Sequence, residues 1–195
     1  MRRGPVKQFD PDEALVAAMH VFRARGFEAA GLAELVEAMG IGRKSMYDTF
    51  GNKRALFIQA IEKYASSDLE ELKAKLDQSG SPLKNICAAL DWFAKQHGRP
   101  HSLGCGVGNS VADFGPDDPE MSQLLRGHLE RTREIWAKAL TRAVQAGELP
   151  ADTNTNNLAR LIVCTAQGIA LVGRVAGDTQ LPTGAARGLL SLLRS

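Results

Sequence analysis

The sequence predicts an all-α protein: three short N-terminal helices containing a helix-turn-helix pattern, then a larger helical bundle. Three observations carry that expectation. Apolar residues recur at i, i+3, i+4 and i+7 along the 195-residue chain, and no run alternates as a strand does. Residues 32–50 hold two such stripes joined by a glycine-bearing turn. Residues 158–176 are apolar on nearly every side and therefore need cover on every side.

The chain opens MRRGPVKQFDPDE, which lacks the apolar core of a secretory signal. Arg2, Arg3 and Lys7 make residues 1–9 either a plain tail or a basic arm that adds phosphate or minor-groove contacts. Asp10 or Asp12 caps a first helix, with Pro11 in its first turn. Leu15, Met19 and Phe22 stripe one face, and Arg25-Gly26 closes it.

In the next helix Leu32, Leu35, Val36 and Met39 fall on one face, and Gly40 supplies the positive φ that ends it. After Ile41 a helix begins near Arg43 with Met46 and Phe50 inward. Arg43, Lys44, Ser45, Tyr47, Asp48 and Thr49 then point outward. A helical hairpin with a wet outer face has the same spacing. Residue types favour a DNA-reading surface instead: residues 42–54 carry four cations and one anion, with hydroxyls suited to phosphates and base edges.

Lys53 to about Gln78 reads as one long helix with Leu56, Ala60, Ile61, Tyr64, Leu69, Leu72 and Leu76 inward, a rod of about 38 Å. After the turn cluster 78–82 comes a helix from Pro82 to about Gln96, with Leu83, Ile86, Leu90 and Phe93 on one face and Trp92 beside them. Residues 97–102 break it. A glycine-rich helix from about Ser102 to Asp113 follows, then a stop at 114–119. Pro119 to Ala146 is strongly amphipathic, through Leu125, Leu129, Trp136, Leu140 and Val144. Asn154 caps the apolar helix, which runs to about Ala176, and a leucine-rich helix runs from Thr183 to Leu193. These last two need a second subunit to cover them, which predicts a homodimer with a four-helix interface.

Composition is that of a soluble globular protein, 44% hydrophobic and 24% charged. No 18-residue uncharged apolar run appears, so no membrane span is expected. Residues 1–55 hold nine Lys/Arg against seven Asp/Glu, whereas residues 56–195 hold fifteen of each. The net charge of +2 therefore lies with the helix-turn-helix. Three widely spaced cysteines, Cys87, Cys105 and Cys164, form no disulfide framework, and a cytoplasmic location is expected. Phosphate-loop, dinucleotide, nucleophile-elbow and zinc-protease motifs are absent, so neither catalysis nor a cofactor is expected.

Residues 26–57, GFEAAGLAELVEAMGIGRKSMYDTFGNKRALF, resemble the signature of the tetracycline-repressor (TetR) family of bacterial transcription regulators. Gly26, Phe27, Gly40, Ile41, Ser45, Met46, Tyr47, Phe50, Lys53 and Leu56 match it. Gly31 and Gly42 stand where hydroxyl residues usually cap the two helices, and Val36 replaces a small Ala. The resemblance implies a DNA-binding domain at 1–55 and a ligand-binding and dimerisation domain at 56–195. It further implies a repressor that leaves a palindromic double-stranded operator when an unidentified small-molecule effector binds, with the helix from Lys53 carrying the change. The alternative is an all-α ligand-binding or adaptor protein that does not bind DNA.

By that resemblance Tyr47 and Lys53 hold phosphates, leaving Arg43, Lys44, Ser45, Asp48 and Thr49 for base edges. A ligand pocket is expected in the second half, with Trp92, Phe93, Phe114, Met121 and Trp136 as its walls and Gln96, Asn109 and Gln167 as polar groups. Each of these aromatics also reads as plain core. Gly104, Cys105, Asn109 and Asp113 resemble the family's G-C-x-x-x-N-x-x-x-E pattern, with Asp for Glu. Cys105 is read chiefly as a small buried hydrophobe, and secondarily as an exposed, activated thiol that senses oxidants or electrophiles. His97, His101 and Cys105 are spaced four apart, but Gly98 and Pro100 interrupt the helix, so no metal site is expected.

Overall fold

The computed structural model describes residues 9–99, 101–114, 117–176 and 178–193. The basic arm expected at residues 1–9 lies, up to Gln8, outside them. The described residues form helices α1 (Pro11–Arg25), α2 (Leu32–Ala38), α3 (Arg43–Phe50), α4 (Lys53–Leu76), α5 (Pro82–Gly98), α6 (Gly106–Phe114), α7 (Pro119–Gln145), α8 (Thr155–Gly173) and α9 (Gln180–Leu192), with no strand among them. Backbone contacts divide the chain into two compact units, one up to Tyr64 and one from Ala65 onward.

The first unit starts from local signals. Asp10 accepts the N–H of Asp12 at 2.8 Å, and Pro11 occupies the first turn of α1, where no N–H is needed. Gly26 and Gly40, at φ 80° and 65°, end α1 and the α2 turn in a region that favours glycine. Leu15, Met19 and Phe22 of α1 are buried with Leu35, Met39, Met46, Phe50, Leu56, Phe57, Ala60 and Ile61. Phe57 sits at the centre, edge-on to Phe22 at 4.9 Å and to Phe27 at 5.1 Å. Such aromatic pairs add about 0.5–1.5 kcal/mol each beyond the area they bury.

The second unit is a bundle in which α5, α7, α8 and α9 pack on one another, with α6 against α7 and α8. Its main core joins Leu76, Ile86, Leu90, Trp136, Leu140, Ile162, Leu189 and Leu193. Loops and caps brace it through side chains. Ser81 caps α5, Asp118 caps α7 and Asn154 caps α8. The Glu148 carboxylate accepts the Leu83 N–H at 2.8 Å, closing the start of α5 from 65 residues away.

Helix boundaries differ from expectation in one instructive place. The helix expected over 102–113 begins at Gly106, because Gly104 takes φ 72° and His101 takes φ 60°. Both conformations are left-handed and cannot continue a right-handed helix. In the same connection α5 runs through His97 to Gly98 before it stops.

Candidate functional site

Helix α3 is fixed by two side chains. Met46 and Phe50 are 0% and 3% exposed, one turn apart, and they anchor one face in the first unit's core. The opposite face is therefore presented outward: Arg43, Lys44, Ser45, Tyr47 and Asp48 are exposed, and Thr49 is half-buried. Lys44 Nζ and Asp48 Oδ2 meet at 2.5 Å along the helix. That pair cancels one cation locally and leaves Arg43, among the described residues, as the uncompensated charge of α3. No acidic residue occupies its first turn.

The N-caps Gly31 and Gly42 are extended, at φ −73° and −76°, and neither supplies a side-chain hydrogen bond. The backbone N–H groups at the start of α3 thus have no capping side chain, a geometry that suits an anion. Lys53 starts α4, whose first turn is capped by Asn52 Oδ1 accepting the Ala55 N–H at 2.9 Å. Its ammonium donates to the Glu28 carbonyl at 3.0 Å and lies 4.8 Å from the Phe27 ring centroid. Lys53 therefore also ties the loop before α2 to the start of α4. Arg25 pairs with Glu34 at 3.0 Å, which joins the end of α1 to α2.

The second unit holds a small cavity of about 30 Å³, partly open to solvent. Trp92, Phe93, Trp136 and Gln167, all sequence candidates, line it. Gln96, Cys105, Asn109, Phe114 and Met121 are not among its lining residues. Met121 is wholly buried core, and Asn109 Nδ2 donates to the Leu103 carbonyl at 2.8 Å, tying down the turn before α6. Gln167 Nε2 donates to Cys105 Sγ at 3.9 Å, so the cysteine stands one residue behind the wall.

The reading of Cys105 as an exposed, activated thiol is not what this conformation shows. It is 2% exposed, and burial first, then the Asp68 carboxylate, pushes the thiol above its ordinary range; backbone N–H groups at α6 oppose this only in part. Asp68, Leu72, His128 and Thr132 line the cavity and were missed from sequence. The signal was register. Asp68 falls on the stripe Ala65, Leu72, Leu76 of α4, while His128 and Thr132 fall on Met121, Leu125, Trp136 of α7. Polar residues on an inward stripe mark a cavity or a satisfied polar core. Among the described residues no group of three or more His, Cys, Asp or Glu is arranged to hold a metal, and no helix is long and apolar enough to cross a membrane.

Comparison with known proteins gives two family matches. Residues 14–60 match "Bacterial regulatory proteins, tetR family", and residues 81–189 match "Tetracyclin repressor-like, C-terminal domain". A Bacillus subtilis protein described as the uncharacterized HTH-type transcriptional regulator YezE is 29% identical over 90% of this chain and 91% of its own. The Escherichia coli HTH-type transcriptional repressor ComR is 28% identical over 88% and 83%. The TetR-family regulator CifR, solved as a cysteine mutant with 26-base-pair operator DNA, superposes with a TM-score of 0.84 at 26% identity, covering 95% of this chain and 98% of its own. The anchored, outward-facing α3 and the matches over both units agree: this chain belongs to the TetR family of bacterial regulatory proteins and is a helix-turn-helix, DNA-binding transcriptional regulator.

Proposed function

We propose that the protein is a homodimeric repressor that holds a palindromic operator through two copies of α3 and leaves it when a small molecule enters the cavity of the second unit. The observation that carries this reading is the division of α3 into a buried face, Met46 and Phe50, and an exposed face, Arg43, Lys44, Ser45, Tyr47 and Asp48. Arg43 and Lys44 suit guanine edges, and Tyr47 and Lys53 suit phosphates. In this reading residues 1–55 bind DNA and residues 56–195 bind ligand and partner.

Support for the dimer lies on α8, α9 and the turn after α8. Leu161, Leu171 and Val172 of α8, Val175 just beyond it, and Leu181 and Leu192 of α9 are exposed apolar residues. A second copy covering them would set two recognition helices in fixed register. Support for repression comes from CifR, solved on its operator, and from ComR, described as a repressor. An effector shifts such a regulator off DNA only by its differential affinity for the released arrangement.

The test is nuclease protection on the DNA upstream of the protein's own coding region. A two-fold symmetric footprint with half-sites about one helical turn apart is expected, weakened in Arg43→Ala. Protection without symmetry, or equal binding by Arg43→Ala, would count against it.

A further inference from the structure

The outward face of α3 carries a carboxylate at its centre, the least favourable place for one on a surface that meets DNA. At about 100° per residue, Asp48 lies about 180° from the mean direction of the buried Met46 and Phe50, with Lys44 at about 140° and Ser45 at about 120°. Tyr47 and Thr49 flank that face at about 80°. The Lys44 and Asp48 side chains stay 87% and 62% exposed while Nζ meets Oδ2 at 2.5 Å. Helix stability does not account for this pair. Lys44 stands in the first turn of α3 and Asp48 in its last, each at the end of the helix dipole that disfavours its charge. The cation also precedes the anion, the weaker order for an i, i+4 pair. Exposed pairs of this kind add little to a fold, and phosphates repel the carboxylate as well. What remains for Asp48 to meet is the base edges.

A carboxylate only accepts hydrogen bonds. The donors that bases present in the major groove are cytosine N4 and adenine N6, and adenine sets its acceptor N7 beside the donor, against the second carboxylate oxygen. Cytosine is therefore the base that Asp48 fits. The guanine paired with it offers O6 and N7, both acceptors, which suit an ammonium. Lys44 has three hydrogens to donate, so it can serve guanine without leaving Asp48. We propose that Lys44 and Asp48 read one C·G base pair in each operator half-site as a unit, Asp48 accepting from cytosine N4 and Lys44 donating to guanine. The inference rests on the operator-reading proposal above and gives it a base preference.

The full chain is used to select duplexes from a random-sequence library, and the enriched half-site is then varied one base pair at a time. A C·G pair is expected in each half-site at which any replacement weakens binding about tenfold. Asp48→Ala is expected to bring all base pairs at that position within about twofold of one another. Asp48→Asn is expected to move the preference there to A·T, because an amide accepts from adenine N6 and donates to N7. Both variants keep the preferences of the other positions. An enriched half-site with no discriminating C·G pair overturns the proposal on the unaltered protein, and so does a C·G preference that survives in Asp48→Ala. Equal loss at every position would give Asp48 a structural role and overturn it too. A library that yields no enriched sequence overturns the operator reading itself, and this assignment with it.

Discussion

Gly173, the last residue of α8, presses its bare Cα against the carbonyl of His97 in α5: a Cβ built there would lie 2.0 Å from that oxygen. One residue on, a Cβ at Gly98 would lie 2.6 Å from Pro182 of α9. Three helices thus meet through two glycines and a proline, closer than side chains would allow. Gly173→Ala must push backbone rather than a mobile side chain. A loss of about 1–3 kcal/mol or more in denaturant unfolding is expected. A change below about 0.5 kcal/mol, the range of ordinary surface substitutions, would show that the helices yield freely.

The cap of the recognition helix can be improved. Gly42 is extended, at φ −76° and ψ 157°, and a Cβ there meets nothing within 4 Å. Gly42→Ser adds a side-chain acceptor for an N–H of α3 and restricts the unfolded chain. A gain of a few tenths to about 1 kcal/mol is expected from thermal unfolding. A loss would mean that the hydroxyl finds no N–H in its reach.

Asp48 lowers the net positive charge of the outer face of α3. It pairs with Lys44 at 2.5 Å on an exposed face, so it neutralises a cation that could otherwise replace counterions on phosphate. Asp48→Asn is expected to tighten binding to mixed-sequence duplex DNA. The slope of log K against log salt should steepen by about one. An unchanged slope would show that the charge of Lys44 does not reach the DNA.

The cysteines should react in order of exposure. Cys164 is exposed, Cys87 half-buried and Cys105 buried, so iodoacetamide should label Cys164 first and Cys105 only on unfolding. The folded state holds the Cys105 proton more tightly than the unfolded chain, because its thiol is raised above 9.0 by burial and by Asp68. That contribution is complete below the unfolded value and is lost as pH climbs from 9.0 through the raised value. Cys105→Ala should flatten this alkaline loss of stability. Rapid labelling of Cys105 at neutral pH in the native protein would contradict the buried geometry.

The apolar face of α8 provides a separate test of assembly. Leu171 is 55% exposed and lies on the α8 face that the dimer would cover. Leu171→Glu should convert a dimer to a monomer in sedimentation velocity and abolish cooperative operator binding, while the helical circular dichroism stays as before. A mass that does not change would move the interface elsewhere.

Much of the first unit was legible because its determinants are local. Asp10, Pro11, Gly26 and Gly40 act on their own backbone neighbours, and Met46 and Phe50 mark the inner face of α3 by spacing alone. Lys53 was legible as a cation at the start of the long helix, but not as a donor to Glu28, which lies 25 residues earlier. In the second unit Trp92, Phe93, Trp136 and Gln167 were found as cavity residues by their type. Asp68, His128 and Thr132 were passed over because the stripes were counted for apolar residues only.

The amino-acid order by itself determined the helical class, the succession of helices and the outward face of the recognition helix, since periodicity and caps act within a few residues. Only the tertiary structure decided that Cys105 is shut in behind Gln167, that Asp68 and Thr132 both turn to His128, and that Gly173 must stay small against His97. Except for Thr132 and His128, one helical turn apart, those relations join residues 60 to 76 positions apart, and close packing in three dimensions is what brings them into contact.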